Sequence, residues 1–194
     1  MKRCFDFFCA GLGLIILSPL FAAIVAAIKL EDNGPVFYKA QRVGLNGTML
    51  RLFKFRTMVV NADKIGAGIT NASDRRITRI GGFLRRYKLD EFPQLINILR
   101  GEMSFVGPRP EDPRYINFYT EQQRMIFNVK PGITSPASLF FREEASLLVE
   151  SEWEEMYIKE IIPKKLAIDI DYFEKNTFWS NCVIIFRTIM AIFC

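Results

Sequence analysis

The chain has 194 residues, enough for one domain with a real core and little left over for a second. Half of the residues are hydrophobic and the formal net charge is +5, a pairing that suits a protein resting on an anionic membrane. There is no histidine, which excludes Ser-His-Asp and Cys-His catalysis and the usual catalytic zinc sites; the lack of zinc-finger spacing, an RNP-like motif or an isolated basic helix argues against nucleic acid.

From Phe7 to Ile28 no residue is charged. As one helix this run would reach about 33 Å at about 1.5 Å per residue, enough to cross a bilayer core. Ser18-Pro19 interrupts it at the centre, where proline removes a helical hydrogen bond at a cost of about 3 kcal/mol. Lys2 and Arg3 precede the run and Lys29, Lys39 and Arg42 follow it, so both flanks carry the charge of a cytoplasmic side. A helix that enters, breaks at Ser18-Pro19 and returns satisfies both flanks, with the Ser18 hydroxyl free to bond a nearby carbonyl. A straight span and a cleaved signal peptide are the alternatives.

Asn33-Gly34-Pro35 marks a turn. Residues 36–43 and 49–58 read as two strands around Gly44-Leu45-Asn46-Gly47, a hairpin whose second strand puts Arg51, Phe53 and Phe55 on one face and Leu52, Lys54 and Arg56 on the other. Residues 61–74, with Gly66, Gly68, Asn71 and Ser73, read as a loop. Helical spacing runs from Ile77 to Leu99, divided at Gly81-Gly82 and Pro93. Gly107-Pro108-Arg109-Pro110 is a rigid extended stretch, Ile116 to Phe127 is helical, Pro131-Gly132 turns, and Glu143 to Ala167 supplies one or two more helices. Residues 178–194 predict an amphipathic interfacial helix with Trp179 at headgroup level, or a packed core helix. Cys4, Cys9, Cys182 and Cys194 lie in or beside apolar runs without metal spacing and read as small apolar residues in a reducing compartment. The predicted architecture is α+β and mainly helical, divided into a membrane helix over residues 1–30, a catalytic domain over 31–176 and the C-terminal helix over 177–194.

Between Asp74 and Arg114 arginines and lysines outnumber carboxylates, which suggests a polyanionic substrate or a basic face on anionic lipid. Among them stand the neighbours Asp90 and Glu91. On a helix their side chains diverge by about 100°, so one can attack while the other holds a metal. An aspartate beside arginines is expected to have a lowered pKa and to stand ionised as a nucleophile toward phosphorus. Glu91 is a hard oxygen ligand of the kind Mg²⁺ uses together with substrate phosphates. Alone, such a pair is a weak motif, more often a helix-surface pair or an arginine partner.

Four stretches resemble, in order, the bacterial sugar transferase family, the monotopic phosphoglycosyl transferases: Lys54-Phe55-Arg56-Thr57-Met58, Arg75-Arg76-Ile77-Thr78-Arg79-Ile80-Gly81, Leu89-Asp90-Glu91-Phe92-Pro93-Gln94-Leu95, and Met103-Ser104-Phe105-Val106-Gly107-Pro108-Arg109-Pro110. The resemblance covers nearly the whole chain, Ser18-Pro19 included. It implies that Asp90 takes a phosphosugar from a nucleoside diphosphate sugar, most simply a UDP-sugar, and that Glu91 ligates Mg²⁺. Polyprenyl (undecaprenyl) phosphate then accepts the phosphosugar in a ping-pong second step, on the cytoplasmic face of a bacterial inner membrane. Arg85 and Arg109 are the first candidates for phosphate contacts, with Arg56 and Arg75 behind them. After Val129-Lys130-Pro131-Gly132-Ile133-Thr134 many members continue Gly-Trp-Ala-Gln, whereas this chain has Ser135-Pro136-Ala137-Ser138. That departure leaves the sugar open, and Glu143-Glu144 nearby is either a contact to sugar hydroxyls or a surface helix start. The rival readings are a catalytically silent scaffold that binds anionic lipid, and a direct transfer without an aspartyl intermediate.

Overall fold

The computed structural model describes residues 1–62, 74–142 and 153–193. The predicted break divides the N-terminal run into α1 (Lys2–Ile16) and α2 (Ser18–Asp32), bent by 60° at Leu17. Pro19 sits in the first turn of α2, where its missing N–H costs nothing. The Ser18 hydroxyl donates to the Ile15 carbonyl at 2.7 Å, so a carbonyl freed at the break finds a partner. Among the described residues no single helix is long and apolar enough to cross a membrane; α1 and α2 together are.

Strands β1 (Phe37–Val43) and β2 (Met49–Phe55) form the predicted antiparallel hairpin, shorter at its open end than the sequence suggests. Asn46 and Gly47 take positive φ at its tip. The inner face of β2 supplies Leu50 and Leu52 to a core with Ala40, Ala10, Leu95 and Ile98. Helix α1 is therefore part of the main core, not a detached anchor. On the outer face, Phe55 is buried beneath Ile24, Ile28 and Leu84 and stacks on Phe37.

Gly81-Gly82 does not divide the next stretch, contrary to the sequence expectation: α3 runs through it from Arg79 to Arg86. A Cβ at Gly81 would lie 2.0 Å from the Thr57 carbonyl oxygen, so glycine is there to let the helix touch the chain beyond β2. Helix α4 (Gln94–Arg100) follows, then β3 (Ser104–Val106). Residues 113–128 are not one helix but two 3₁₀ segments, Pro113–Phe118 and Met125–Asn128, around the short α5 (Glu121–Arg124). Strand β4 (Gly132–Thr134) pairs in parallel with β3, a pairing the sequence did not announce. Helices α6 (Pro136–Phe140) and α7 (Trp153–Met156) come next, with a π-turn at Tyr157–Ile161 leading into α8 (Ile162–Lys175). The predicted C-terminal helix is α9 (Phe178–Phe193). One of its faces packs through buried Ile184 and a 2.7 Å bond between Thr188 and Thr134, while Trp179, Phe186 and Met190 are exposed, so it is both docked and apolar outside. The architecture is α+β and mainly helical, with two two-stranded sheets among the described residues. Glu143-Glu144 and the glycines of the 61–74 loop lie outside the described residues, as does Cys194; the other three cysteines are free thiols.

Candidate active site

The site is assembled where β2 ends. Lys54, on the inner face of β2, points toward the segment that joins α3 to α4. Helix α3 is held against the same strand end by the Thr78 amide, which donates to the Thr57 carbonyl at 3.1 Å, and by the close approach at Gly81. This places the Arg85 Nε 2.8 Å from the Thr57 hydroxyl.

Beyond α3, Lys88 takes a left-handed φ of 56° and the chain tightens into a 3₁₀ turn, Leu89–Glu91. Asp90 and Glu91 therefore sit on a tight turn rather than on an α-helix, and their side chains diverge by about 120°. Glu91 is clamped. Its Oε1 accepts from Lys54 Nζ at 2.8 Å and from Arg109 Nη2 at 2.6 Å, and its Oε2 receives only a longer bond, 3.3 Å, from Arg109 Nη1. Burial raises its pKa, but Arg109 and Lys54 outweigh that and hold Glu91 well below the usual carboxylate range.

Asp90 behaves in the opposite way. It is 7 % exposed, and among the described residues none donates a hydrogen bond to its carboxylate. Burial, with Glu91 adding to it, pushes its pKa up against the pull of Lys54, Arg85 and Lys88. The expectation that nearby arginines lower it is thus corrected: desolvation wins, because the cations lie near it without bonding to it. The result is a carboxylate whose charge is poorly compensated by the protein and available to an incoming group.

Arg109 reaches the site from the far side of the fold. Its loop leaves the β3–β4 pair, where the backbones of Gly107 and Gly132 lie so close that a Cβ on Gly132 would fall 2.1 Å from the Gly107 nitrogen. Pro108 and Pro110 then restrict the loop on either side of Arg109. Lys54, Arg85, Lys88 and Arg109 surround Asp90 and Glu91, leaving an excess of two positive charges beside the carboxylates. Such a surplus suits a diphosphate.

The other two arginine candidates are placed differently. Arg56 is buried, forms a two-pronged ion pair with Asp32 and donates to the carbonyls of Pro35 and Met58. Four of its five N–H donors are engaged in tying α2 to the end of β2, a structural role. Arg75 is exposed to solvent, while its neighbour Arg76 pairs with Asp74 at 2.6 Å. The sequence reading passed over Lys54 and Gln94, although both stand in the motifs quoted for the family. Gln94 is 2 % exposed and its Nε2 has no partner among the described residues. In the segment that departs from the family, Ser135 and Ala137 are sealed in the interior, where Asp169 of α8 accepts from the Ala137 amide at 3.0 Å. Those two residues are used within the fold.

Among the described residues no group of three or more metal-ligating side chains occurs. The pair itself still offers hard oxygens in Glu91 Oε2 and in the Asp90 carboxylate, which no described residue bonds, the ligand type that Mg²⁺ takes together with substrate phosphates.

The chain is similar over most of its length to several named bacterial proteins. An exopolysaccharide production protein, ExoY, of Sinorhizobium fredii is 33% identical over 206 residues, covering 98% of this chain and 84% of its own. The UDP-glucose:undecaprenyl-phosphate glucose-1-phosphate transferase of Escherichia coli is 36% identical over 194 residues, covering 97% of this chain and 39% of its own. A UDP-N-acetylgalactosamine-undecaprenyl-phosphate N-acetylgalactosaminephosphotransferase of Aeromonas hydrophila is 32% identical over 197 residues, covering 99% of this chain and 43% of its own. The bacterial sugar transferase family model matches residues 1–194, and the chain belongs to that family.

Proposed function

We propose that the chain transfers a sugar 1-phosphate from a UDP-sugar to undecaprenyl phosphate, giving undecaprenyl-diphosphate-sugar and UMP. The observation that carries this reading is the contrast within the pair: Glu91 is neutralised and fixed by Lys54 and Arg109, while Asp90 is buried without a hydrogen-bond donor among the described residues.

In the proposed reaction an Asp90 oxygen attacks the phosphorus that bears the sugar. The bond from that phosphorus to the bridging oxygen breaks, and UMP leaves with that oxygen. The phosphate oxygen of undecaprenyl phosphate then attacks the same phosphorus, forms the new diphosphate bond and releases the Asp90 carboxylate. Arg85 and Arg109 offer guanidinium forks to the phosphoryl oxygens, and the exposed Arg75 is a further candidate. Glu91 and Asp90 would hold Mg²⁺, whose charge offsets that of the diphosphate. An aspartate stripped of hydrogen bonds attacks more readily than one stabilised by them.

The membrane completes the proposal. Phe7, Phe8, Leu12, Ile15 and Ile16 expose an apolar face on α1, and Phe5 packs on Phe178 at 5.4 Å, joining that face to the exposed Trp179 and Phe186 of α9. A patch of this extent wants lipid. We take α1–α2 as a re-entrant helix entering from the cytoplasmic side, which brings the acceptor lipid and the soluble donor to one boundary.

The test is intact-protein mass spectrometry after mixing the protein with Mg²⁺ and a panel of UDP-sugars, without acceptor. A mass gain equal to a phosphosugar, absent in Asp90→Asn and cleared by undecaprenyl phosphate, is the expected result. Lipid product without any adduct would instead favour direct transfer, and neither across the panel would favour a scaffold.

A further inference from the structure

A second basic site lies on the outer face of the hairpin, away from the carboxylates. Lys39 and Phe53 are cross-strand partners there, and Arg51 lies two residues along β2 on the same face. Arg100, at the end of α4, reaches over the same ring: its guanidinium is 4.8 Å and the Lys39 ammonium 5.2 Å from the Phe53 centroid. With Glu102 these residues line a cavity of about 450 Å³. Glu102 is already engaged by the Asn97 amide at 2.6 Å, and Asn97 also bonds the backbone of Arg51 and Phe53, so the cavity walls are fixed to each other. Gathering two cations over one aromatic ring, with Arg51 on the same wall, costs repulsion that a bound anion relieves.

The place of the cavity in the fold bears on which anion it takes. Arg3, in the first turn of α1, donates to the carbonyls of Ile98 and Leu99 and lies beside Gly101 on the cavity wall. From there α1 continues into the run whose Phe7 and Phe8 are exposed. With the membrane placement proposed above, the cavity lies beside the base of α1, about one turn before its exposed apolar run, where a phosphodiester headgroup would meet it. We infer that it binds the headgroup of an anionic membrane phospholipid, separately from the lipid phosphate that reacts at Asp90. The inference rests on the membrane placement proposed above.

The full chain, recovered from membranes in detergent, is examined by native mass spectrometry with phosphatidylglycerol or phosphatidylcholine. The wild type is expected to retain phosphatidylglycerol preferentially. Arg51→Gln with Arg100→Gln should weaken that retention roughly 25-fold, at roughly fivefold per basic side chain near an anionic surface. Lys159→Gln with Lys175→Gln removes equal charge from exposed helix surface and should leave it intact. Equal retention in the two double variants overturns the inference. So does displacement of phosphatidylglycerol from the wild type by UDP or by inorganic phosphate, a measurement that needs no variant to fold. A membrane-bound chain without lipid preference defeats this inference alone, whereas a chain found only in the soluble fraction defeats the membrane reading as well.

Discussion

Asp169 offers a quantitative check on how the segment behind β4 is held. Burial pushes its pKa up from 3.8 to about 6, against the Ala137 amide, Ser135 and Lys165, which favour its charge. Below about pH 4 the carboxyl is protonated in both folded and unfolded chains. As the pH rises toward 6 the unfolded chain releases its proton first, and the folded state loses stability through that window. At about 1.36 kcal/mol per pH unit, the rise of about two units amounts to about 3 kcal/mol. Asn cannot ionise, and its side-chain oxygen can still accept from the Ala137 amide. Asp169→Asn is therefore expected to be more stable than the wild type at pH 8 by up to about 3 kcal/mol, a gap that closes near pH 4. For a chain of this length that is about 6–12 °C in melting temperature. Thermal unfolding in detergent from pH 4 to pH 8 measures it. A difference that stays constant with pH, or a variant less stable than the wild type at pH 8, would refute the reasoning.

Three further outcomes follow from the site. Asp90→Asn should abolish transfer yet raise the melting temperature at neutral pH, because burial penalises the charge it removes; a lower melting temperature would contradict the environment described for Asp90. Lys54→Met removes the foremost charge favouring ionised Asp90, so the acid limb of the pH–rate profile should move to higher pH, and a limb that stays in place counts against that coupling. The same change strips Glu91 of one of its two cations, at about 1.5–3 kcal/mol read from denaturant unfolding. Arg56→Ala should cost about 1.5–3 kcal/mol, since it removes a buried side chain bonded to Asp32 and to the carbonyls of Pro35 and Met58, whereas Arg75→Ala should change stability by less than about 0.5 kcal/mol; equal melting curves would show that Arg56 does not tie α2 to β2.

Periodicity and punctuation made much of the fold legible. The Ser18-Pro19 break, the hairpin with Asn46-Gly47 at its tip, and the C-terminal helix are local events, decided by proline's missing donor, by positive φ and by hydrophobic spacing. Gly81-Gly82 misled for a physical reason: a glycine pair reads as a helix breaker until the Thr57 backbone is seen lying where a Cβ would be. The irregular 113–128 stretch and the β3–β4 pair were hidden because short 3₁₀ segments and three-residue strands leave no periodic signature.

The chemistry divides in the same way. By itself the sequence determined which groups are available: no histidine, a carboxylate pair, an excess of arginine and lysine, and apolar ends. Tertiary structure decided what each group does. Lys54 and Arg109 stand 37 and 18 residues from Glu91 in sequence, and only the docking of α3 on Thr57 and the close contact of Gly107 with Gly132 bring both to it. Desolvation likewise depends on what surrounds a residue in space, which is why Asp90 is held up and Glu91 held down although they are neighbours. Arg56 and Arg109 are the same side chain in sequence terms. One pairs with Asp32 and the other with Glu91, beside Asp90, because the charge that each arginine meets is set by packing and not by its position in the chain.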